Sequence, residues 1–116
     1  MRDRRKFLRI PENLPLTYEL LLDAKTDESL TEDISQEGIR FFIDSPVPKY
    51  SLLRIRLTLQ AVSFSFDALV RVVWIEKSGS GKKYEVGAEF ISLPREAAEQ
   101  LIDYIRSYFK INGVNK

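Results

Sequence analysis

The sequence predicts a small antiparallel β-barrel followed by one C-terminal helix. Two observations predict this fold class. Apolar and polar residues alternate at period two in several short segments, which is typical of strands that bury one face. Near the C-terminus, the apolar period changes to that of an amphipathic helix. Because short antiparallel strands commonly close into a barrel that leaves no exposed edge, we expect about five to seven strands arranged in this way.

The alternating segments and the breaks between them define the predicted strands. In one segment a single row of apolar side chains extends from Phe64 through Phe66 to Trp74, so these three aromatic residues are predicted to lie in the core. The segments with the strand pattern are residues 16–22, 38–44, 52–59, 64–76 and 83–91. The predicted turns and loops, rich in polar residues, glycine or proline, are residues 26–29, 35–38, 44–51 and 77–83.

The C-terminal segment has a helical pattern. Apolar residues recur at helical spacing between Ala97 and Tyr108, and Ser92 is a candidate N-cap with Pro94 close behind it. We therefore predict a helix over residues 92–110 that covers an apolar face of the barrel. This divides the chain into a basic N-terminal arm (1–13), a barrel with its helix (14–110) and a flexible tail (111–116).

The composition indicates one globular domain and excludes several kinds of chemistry. The 116 residues are 44% hydrophobic and 30% charged, which suffices for one modest core. The chain has no cysteine and no histidine, which excludes disulfides, thiol nucleophiles, zinc fingers and histidine bases. With 18 Lys and Arg against 17 Asp and Glu, the net charge of +1 argues against general nucleic-acid binding. Since no apolar run suits a transmembrane helix or a secretion signal, we expect a cytoplasmic protein.

Positive charge is concentrated in the arm, in the segment RRKFLRIP at residues 4–11. Arg5 and Arg9 share a side in an extended chain and in a helix, and Arg4 directly precedes them. A guanidinium is a planar fork of donors that suits both a phosphate and the O6/N7 edge of guanine. These arginines are therefore candidates for binding a purine nucleotide, and a solvated basic tail is the alternative. Because the arm is polar, we expect residues 1–11 to become ordered only when ligand binds.

A second motif, Asp33-Ile34-Ser35-Gln36-Glu37-Gly38, leads into the predicted strand at 38–44. Asp33 and Ser35 are two residues apart, so they share a face at a strand end. A carboxylate can accept hydrogen bonds from the N1–H and N2–H₂ groups of guanine, and a serine hydroxyl can donate to a phosphate or a base. Gly38 permits a positive φ angle where the chain turns into the next strand. The alternative is an ordinary turn in which Asp and Ser bond to their own backbone.

Together, Arg5-x-x-x-Arg9 and Asp33-x-Ser35-x-x-Gly38 resemble the signature of the PilZ domain family. The segments ALVRVVWIE and YEVGAEFISL are similar to the family's long central strand and to its strand before the helix. The resemblance extends from about residue 4 to about residue 110. It implies a six-stranded antiparallel PilZ-like β-barrel with a C-terminal helix, which binds the bacterial second messenger cyclic di-GMP. It also implies that Arg5 and Arg9 clasp phosphates and guanine edges, while Asp33 and Ser35 recognise guanine.

The leading hypothesis is a non-enzymatic receptor or adaptor that needs no metal or cofactor. Its expected ligand-binding residues are Arg4, Arg5, Arg9, Asp33, Ser35 and Gly38. An unidentified protein partner would respond to the bound state. The alternative is a PilZ-fold protein–protein interaction module that binds no nucleotide, since fold does not dictate function. The near-zero net charge disfavours an RNA-binding barrel, and the lack of a nucleophile beside a base disfavours an enzyme. We expect neither nucleic-acid binding nor membrane insertion.

Overall fold

The computed structural model describes residues 8–22 and 25–112 and contains six antiparallel strands in this part of the chain. The strands are β1 Pro15–Leu20, β2 Thr26–Ile34, β3 Gly38–Ile43, β4 Leu52–Leu59, β5 Phe64–Lys77 and β6 Tyr84–Ser92. They close into a barrel in the order β1-β2-β3-β6-β5-β4. A short 3₁₀ helix, Gln60–Val62, lies between β4 and β5, and helix α1, Arg95–Asn112, follows the barrel. The predicted fold class, a six-stranded barrel with a C-terminal helix, is therefore confirmed.

Strand β2 is the element that the sequence pattern did not predict. Residues 26–29 were interpreted as a turn, and this interpretation is wrong, because they form the first part of β2. Most side chains of β2 are exposed or only partly buried, so the strand has no clean alternation of apolar and polar residues. Its backbone nevertheless pairs with β1 on one side and with β3 on the other. Backbone pairing rather than side-chain burial therefore makes this segment a strand.

The barrel interior and one face of α1 form a single hydrophobic core. Every strand contributes buried residues, and α1 adds Ala97, Leu101, Tyr104 and Ile105. The helical stripe predicted between Ala97 and Tyr108 thus covers the barrel. Of the helices in residues 8–22 and 25–112, none is both long and apolar enough to cross a membrane.

The residues just before β1 are part of the barrel. Ile10 is fully buried and forms an antiparallel bridge with Ile34 at the end of β2. The two backbone hydrogen bonds of this bridge measure 2.9 and 3.0 Å between nitrogen and oxygen. Residues 1–7 lie outside the described part of the chain, so the expectation that ligand orders residues 1–11 stays a prediction. The sequence pattern hid Ile10 because it is a lone apolar residue between Arg9 and Pro11.

Helix α1 begins three residues later than predicted. Ser92 was a candidate N-cap, but it is the last residue of β6 and pairs with Leu69 of β5. The first intrahelical acceptor is the carbonyl of Pro94, which receives a hydrogen bond of 2.9 Å from the Ala98 amide. The sheet therefore extends through Ser92, and the chain enters the helix only after Pro94.

A β-bulge changes the direction of the side chains near the end of β5. The register between β5 and β6 shifts between Val72 and Trp74. Beyond this point Ile75 packs against the core, whereas Trp74 is 37% exposed. The prediction that Trp74 lies in the core is therefore wrong, because an extra residue in a bulge reverses the alternation of inward and outward side chains. The predictions for Phe66, which is buried, and for Phe64, which packs against the core, are confirmed.

Candidate functional site

A cavity of about 280 Å³ lies where the turn between β2 and β3 meets β5 and β6. Three of the predicted ligand-binding residues, Arg9, Asp33 and Gly38, line it. The lining also includes Trp74 and Gly87. Arg4 and Arg5 lie outside the described residues. A larger cavity, of about 640 Å³, lies over β1, β2 and β4 and is lined by none of the predicted residues, so it is not the candidate site.

Arg9 is held against the second motif by two contacts. Its Nη1 donates a hydrogen bond of 3.0 Å to Oγ of Ser35, and its Nε lies 3.0 Å from Oδ1 of Asp33. The bridge between Ile10 and Ile34 explains this position, since it places Arg9 beside the end of β2. The Arg9 side chain is 20% exposed and that of Asp33 is 15% exposed. The structure thus brings one arginine of the arm together with Asp33 and Ser35 of the second motif.

Asp33 also contacts a second arginine, which the sequence analysis did not single out. Arg40 lies directly opposite Asp33 in the pairing of β2 with β3. Its Nε donates a hydrogen bond of 2.8 Å to Oδ2 of Asp33, and its Nη1 forms an ion pair with Glu85 of β6. The hydrogen bond to Asp33 is the main reason why the pKa of Arg40 is raised, so this guanidinium stays charged. No sequence signal distinguished Arg40 from the other arginines at exposed strand positions.

The two carboxylate oxygens of Asp33 have different partners. Oδ2 accepts the hydrogen bond from Arg40. Oδ1 is buried and, within the described part of the chain, has no hydrogen-bond partner, although Nε of Arg9 is 3.0 Å away. The two observations agree if the Arg9 N–H is poorly aligned with Oδ1, so that the contact is ionic without being a hydrogen bond. A buried acceptor of this kind has unused capacity for a well-placed donor.

Ser35 is fully buried and contacts Arg9, which lines the cavity. Its amide donates to the Gly38 carbonyl at 2.9 Å, and its Oγ accepts from the Glu37 amide at 3.2 Å. The ordinary turn that we considered as an alternative is therefore present. The same Oγ also holds Arg9, so the turn and the candidate site use one side chain for both purposes.

Gly38 is required at its position for a different reason from the one predicted. Among the described glycines, only Gly81 has a positive φ angle, so the expectation of a positive φ at Gly38 is wrong. A Cβ atom on Gly38 would lie 2.2 Å from the carbonyl oxygen of Ala88 in β6. The absence of a side chain allows β3 to approach β6 closely. This close approach forms the floor of the cavity.

Trp74 is held at the cavity by a second glycine. A Cβ atom on Gly87 would lie 2.2 Å from Nε1 and 2.3 Å from Cε2 of the Trp74 indole. The indole therefore lies directly on the Gly87 backbone, and Trp74 and Gly87 both line the cavity. A glycine inside a strand pattern often marks such a close approach, so Gly87 was the signal in the sequence that could have identified this contact.

The sequence and the fold both match known proteins. The sequence model described as "PilZ domain" matches residues 3–107. No protein with a curated description matches the sequence significantly. Among solved structures, the fold is similar to the inhibitor of motility MotI/DgrA from Bacillus subtilis, with 18% identity and a TM-score of 0.78 over 94% of this chain and 53% of that one.

Two further similar structures are complexes with c-di-GMP. The PilZ domain of YcgR from Escherichia coli with c-di-GMP is 14% identical, with a TM-score of 0.67 over 97% of this chain and 100% of that one. The MrkH–c-di-GMP complex from K. pneumonia is 12% identical, with a TM-score of 0.79 over 99% of this chain and 56% of that one. The chain thus spans about half the length of MotI and MrkH. Since the family match covers the whole barrel and most of its helix, the chain belongs to the PilZ domain family.

Proposed function

We propose that this chain is a receptor for cyclic di-GMP and that it acts by binding rather than by catalysis. Membership of the PilZ family supports this proposal, as do the two similar structures described with c-di-GMP. The observation that carries it is the contact of Arg9 with both Asp33 and Ser35 at one cavity, because a fork of donors and a free acceptor are what a guanine nucleotide requires.

Ligand binding would exchange the partners of Arg9. One N–H of Arg9 is bonded to Ser35, and its Nε is near Oδ1 of Asp33. A phosphate that takes over the Arg9 guanidinium would release Oδ1, which could then accept from N1–H or N2–H₂ of guanine. Ser35 would keep the arginine in reach of the ligand. Gly38 would let the ligand approach the floor of the cavity without contacting a side chain.

The charge of the cavity wall explains why the remaining arginines of the arm belong to the proposal. The described wall carries the guanidiniums of Arg9 and Arg40 but also the carboxylates of Asp33, Glu37 and Glu89. By itself, this wall gives no net attraction for a dianion. Arg4 and Arg5, directly upstream of Arg9, would supply the additional positive charge and clasp the phosphates. We therefore retain residues 1–13 as the recognition arm and 14–110 as the barrel unit that it serves.

The acidic wall also keeps the alternative function in consideration. A PilZ-fold module that binds a protein and no nucleotide would not need to neutralise a dianion, and the excess of carboxylates at the cavity favours such a module. In either case the output would be a change in a protein partner's binding. The two functions differ in whether the chain binds cyclic di-GMP by itself.

Calorimetric titration with cyclic di-GMP, with GTP as the control ligand, tests the proposal. We expect saturable binding of cyclic di-GMP with one or two nucleotides per chain and much weaker binding of GTP. Arg9→Ala should weaken binding by about 2–5 kcal/mol, because a charged partner is lost at a partly desolvated site. Arg56→Ala, at a residue that does not line this cavity, is the control and should bind as the wild type does. No heat of binding with the wild-type protein would contradict the proposed function and favour the interaction module.

A further inference from the structure

We propose that Arg40 is a positioning residue of this site, which orients Asp33 so that one carboxylate oxygen remains available to guanine. This inference deepens the proposed function and rests on it. Arg40 belongs to neither sequence motif, and its contacts with Asp33 and Glu85 are the observations that point to this role.

The register of the sheet places Arg40 opposite Asp33. The pairing of β2 with β3 shifts between Thr31 and Asp33, and this irregularity sets Asp33 opposite Arg40. Nε of Arg40 then donates to Oδ2 of Asp33 at 2.8 Å. With Oδ2 occupied from the β3 side, Oδ1 is directed toward Arg9, where it has no hydrogen-bond partner among the described residues. Arg40 therefore decides which of the two oxygens is left for the ligand.

Glu85 makes this orientation firm. It lies on β6, two strands away from Asp33, and forms an ion pair with Nη1 of Arg40. The planar guanidinium is thus held at two of its nitrogens by carboxylates on opposite sides. Beyond these two contacts, Arg40 has only the second N–H of Nη1 and the two N–H groups of Nη2 to offer a phosphate, and the two carboxylates beside it would repel that phosphate. This geometry favours a positioning role over direct contact with the ligand.

The chain contains a matched pair that lacks this role. Arg56 and Asp67 are directly opposite each other in β4 and β5, and their contact measures 3.0 Å. The side chains of that pair are 57% and 64% exposed, compared with 35% for Arg40 and 15% for Asp33. A cross-strand Arg–Asp pair is therefore present at the candidate site and also, in a more exposed position, between β4 and β5. Arg56 is the control for any effect that comes only from losing a cross-strand ion pair.

The experiment compares the variants Arg40→Met, Arg40→Lys and Arg56→Met with the wild type. Calorimetry with cyclic di-GMP and with cyclic di-AMP gives the ratio of the two affinities for each protein. We expect Arg40→Met to lower this ratio about tenfold, within the range of discrimination that one well-oriented bidentate contact gives. Arg40→Lys should restore only part of the ratio, because an ammonium cannot hold two carboxylates in one plane. Arg56→Met should leave the ratio unchanged.

Three outcomes overturn the inference or separate it from the proposed function. An equal loss of affinity for both nucleotides in Arg40→Met would make Arg40 a direct phosphate ligand and overturn the positioning role. Unchanged affinities for both nucleotides in Arg40→Met would overturn it as well. If the wild type binds neither nucleotide, the proposed function fails, and crystal structures of the wild type and Arg40→Met still decide the positioning role. There we expect the Asp33 carboxylate to turn in the variant, and an unmoved carboxylate would overturn the inference.

Discussion

Replacing Gly38 with alanine should destabilise the barrel, because β3 and β6 are too close at this point for a side chain. The added Cβ atom would lie 2.2 Å from the Ala88 carbonyl oxygen, 3.1 Å from its carbonyl carbon and 3.2 Å from the Cα atom of Glu89. These are backbone atoms, so no rotamer change relieves the contact. The two strands would have to separate by about 1 Å at their first rung, since carbon and oxygen in contact are normally more than about 3 Å apart.

The expected cost has two parts. Forcing an extra methyl group into a packed position costs about 1–3 kcal/mol. Separating the strands would also weaken the 2.8 Å hydrogen bond from the Phe90 amide to the Glu37 carbonyl, which is worth about 1 kcal/mol. The free energy of unfolding should therefore fall by about 2–4 kcal/mol. For a domain of this size, that corresponds to a melting temperature lower by about 10 °C.

Thermal and urea denaturation followed by circular dichroism measure this effect. The matched control is Gly79→Ala in the hairpin loop, where a Cβ atom would have no neighbour within 4 Å and the φ angle is not positive. We expect that control to unfold as the wild type does. A Gly38→Ala protein with wild-type stability would refute the argument that a close backbone approach, rather than chain flexibility or ligand access, requires glycine here.

Three further predictions follow from the site and the helix. Gly87→Ala should keep most of the stability of the wild type, because the clashing Trp74 indole is partly exposed and can turn away. The emission maximum of tryptophan fluorescence should shift toward the value of a solvent-exposed indole, and an unchanged spectrum would contradict the contact between Trp74 and Gly87. Asp33→Ala should lower the affinity for cyclic di-GMP relative to cyclic di-AMP, as calorimetry can measure; an unchanged ratio would make Asp33 a turn residue only. Burial and the hydrogen bond to Glu12 raise the pKa of Tyr104, so folding favours the protonated form of its hydroxyl. This preference stabilises the folded protein fully below about pH 10, and the stabilisation is lost progressively as the pH rises above about 10. Between pH 7 and pH 11, the free energy of unfolding should therefore fall less in Tyr104→Phe than in the wild type, and parallel falls in urea titrations would contradict this.

Much of the fold could be predicted from the sequence, because burial of one strand face leaves a direct record in the chain. The alternation in residues 52–59 coincides with β4, and the alternation in residues 64–76 lies within β5. The helical stripe after residue 95 was equally clear, although the exact start of α1 depended on where β6 stopped pairing. Strand β2 could not be predicted in the same way, because its stability comes from backbone pairing with two neighbours and most of its side chains are solvated.

The candidate site divides in the same manner. The sequence alone determined which residue types the two motifs carry and their resemblance to one family, which is why Arg9 and Asp33 could be named from it. The tertiary structure decided what surrounds them: Arg40 opposite Asp33, Ser35 beneath Arg9, and Trp74 on Gly87. These contacts depend on strand register and on two bulges, and a shift of one residue moves a side chain to the other face. Local residue patterns do not encode register, because register is set by pairing between segments that are distant in the sequence.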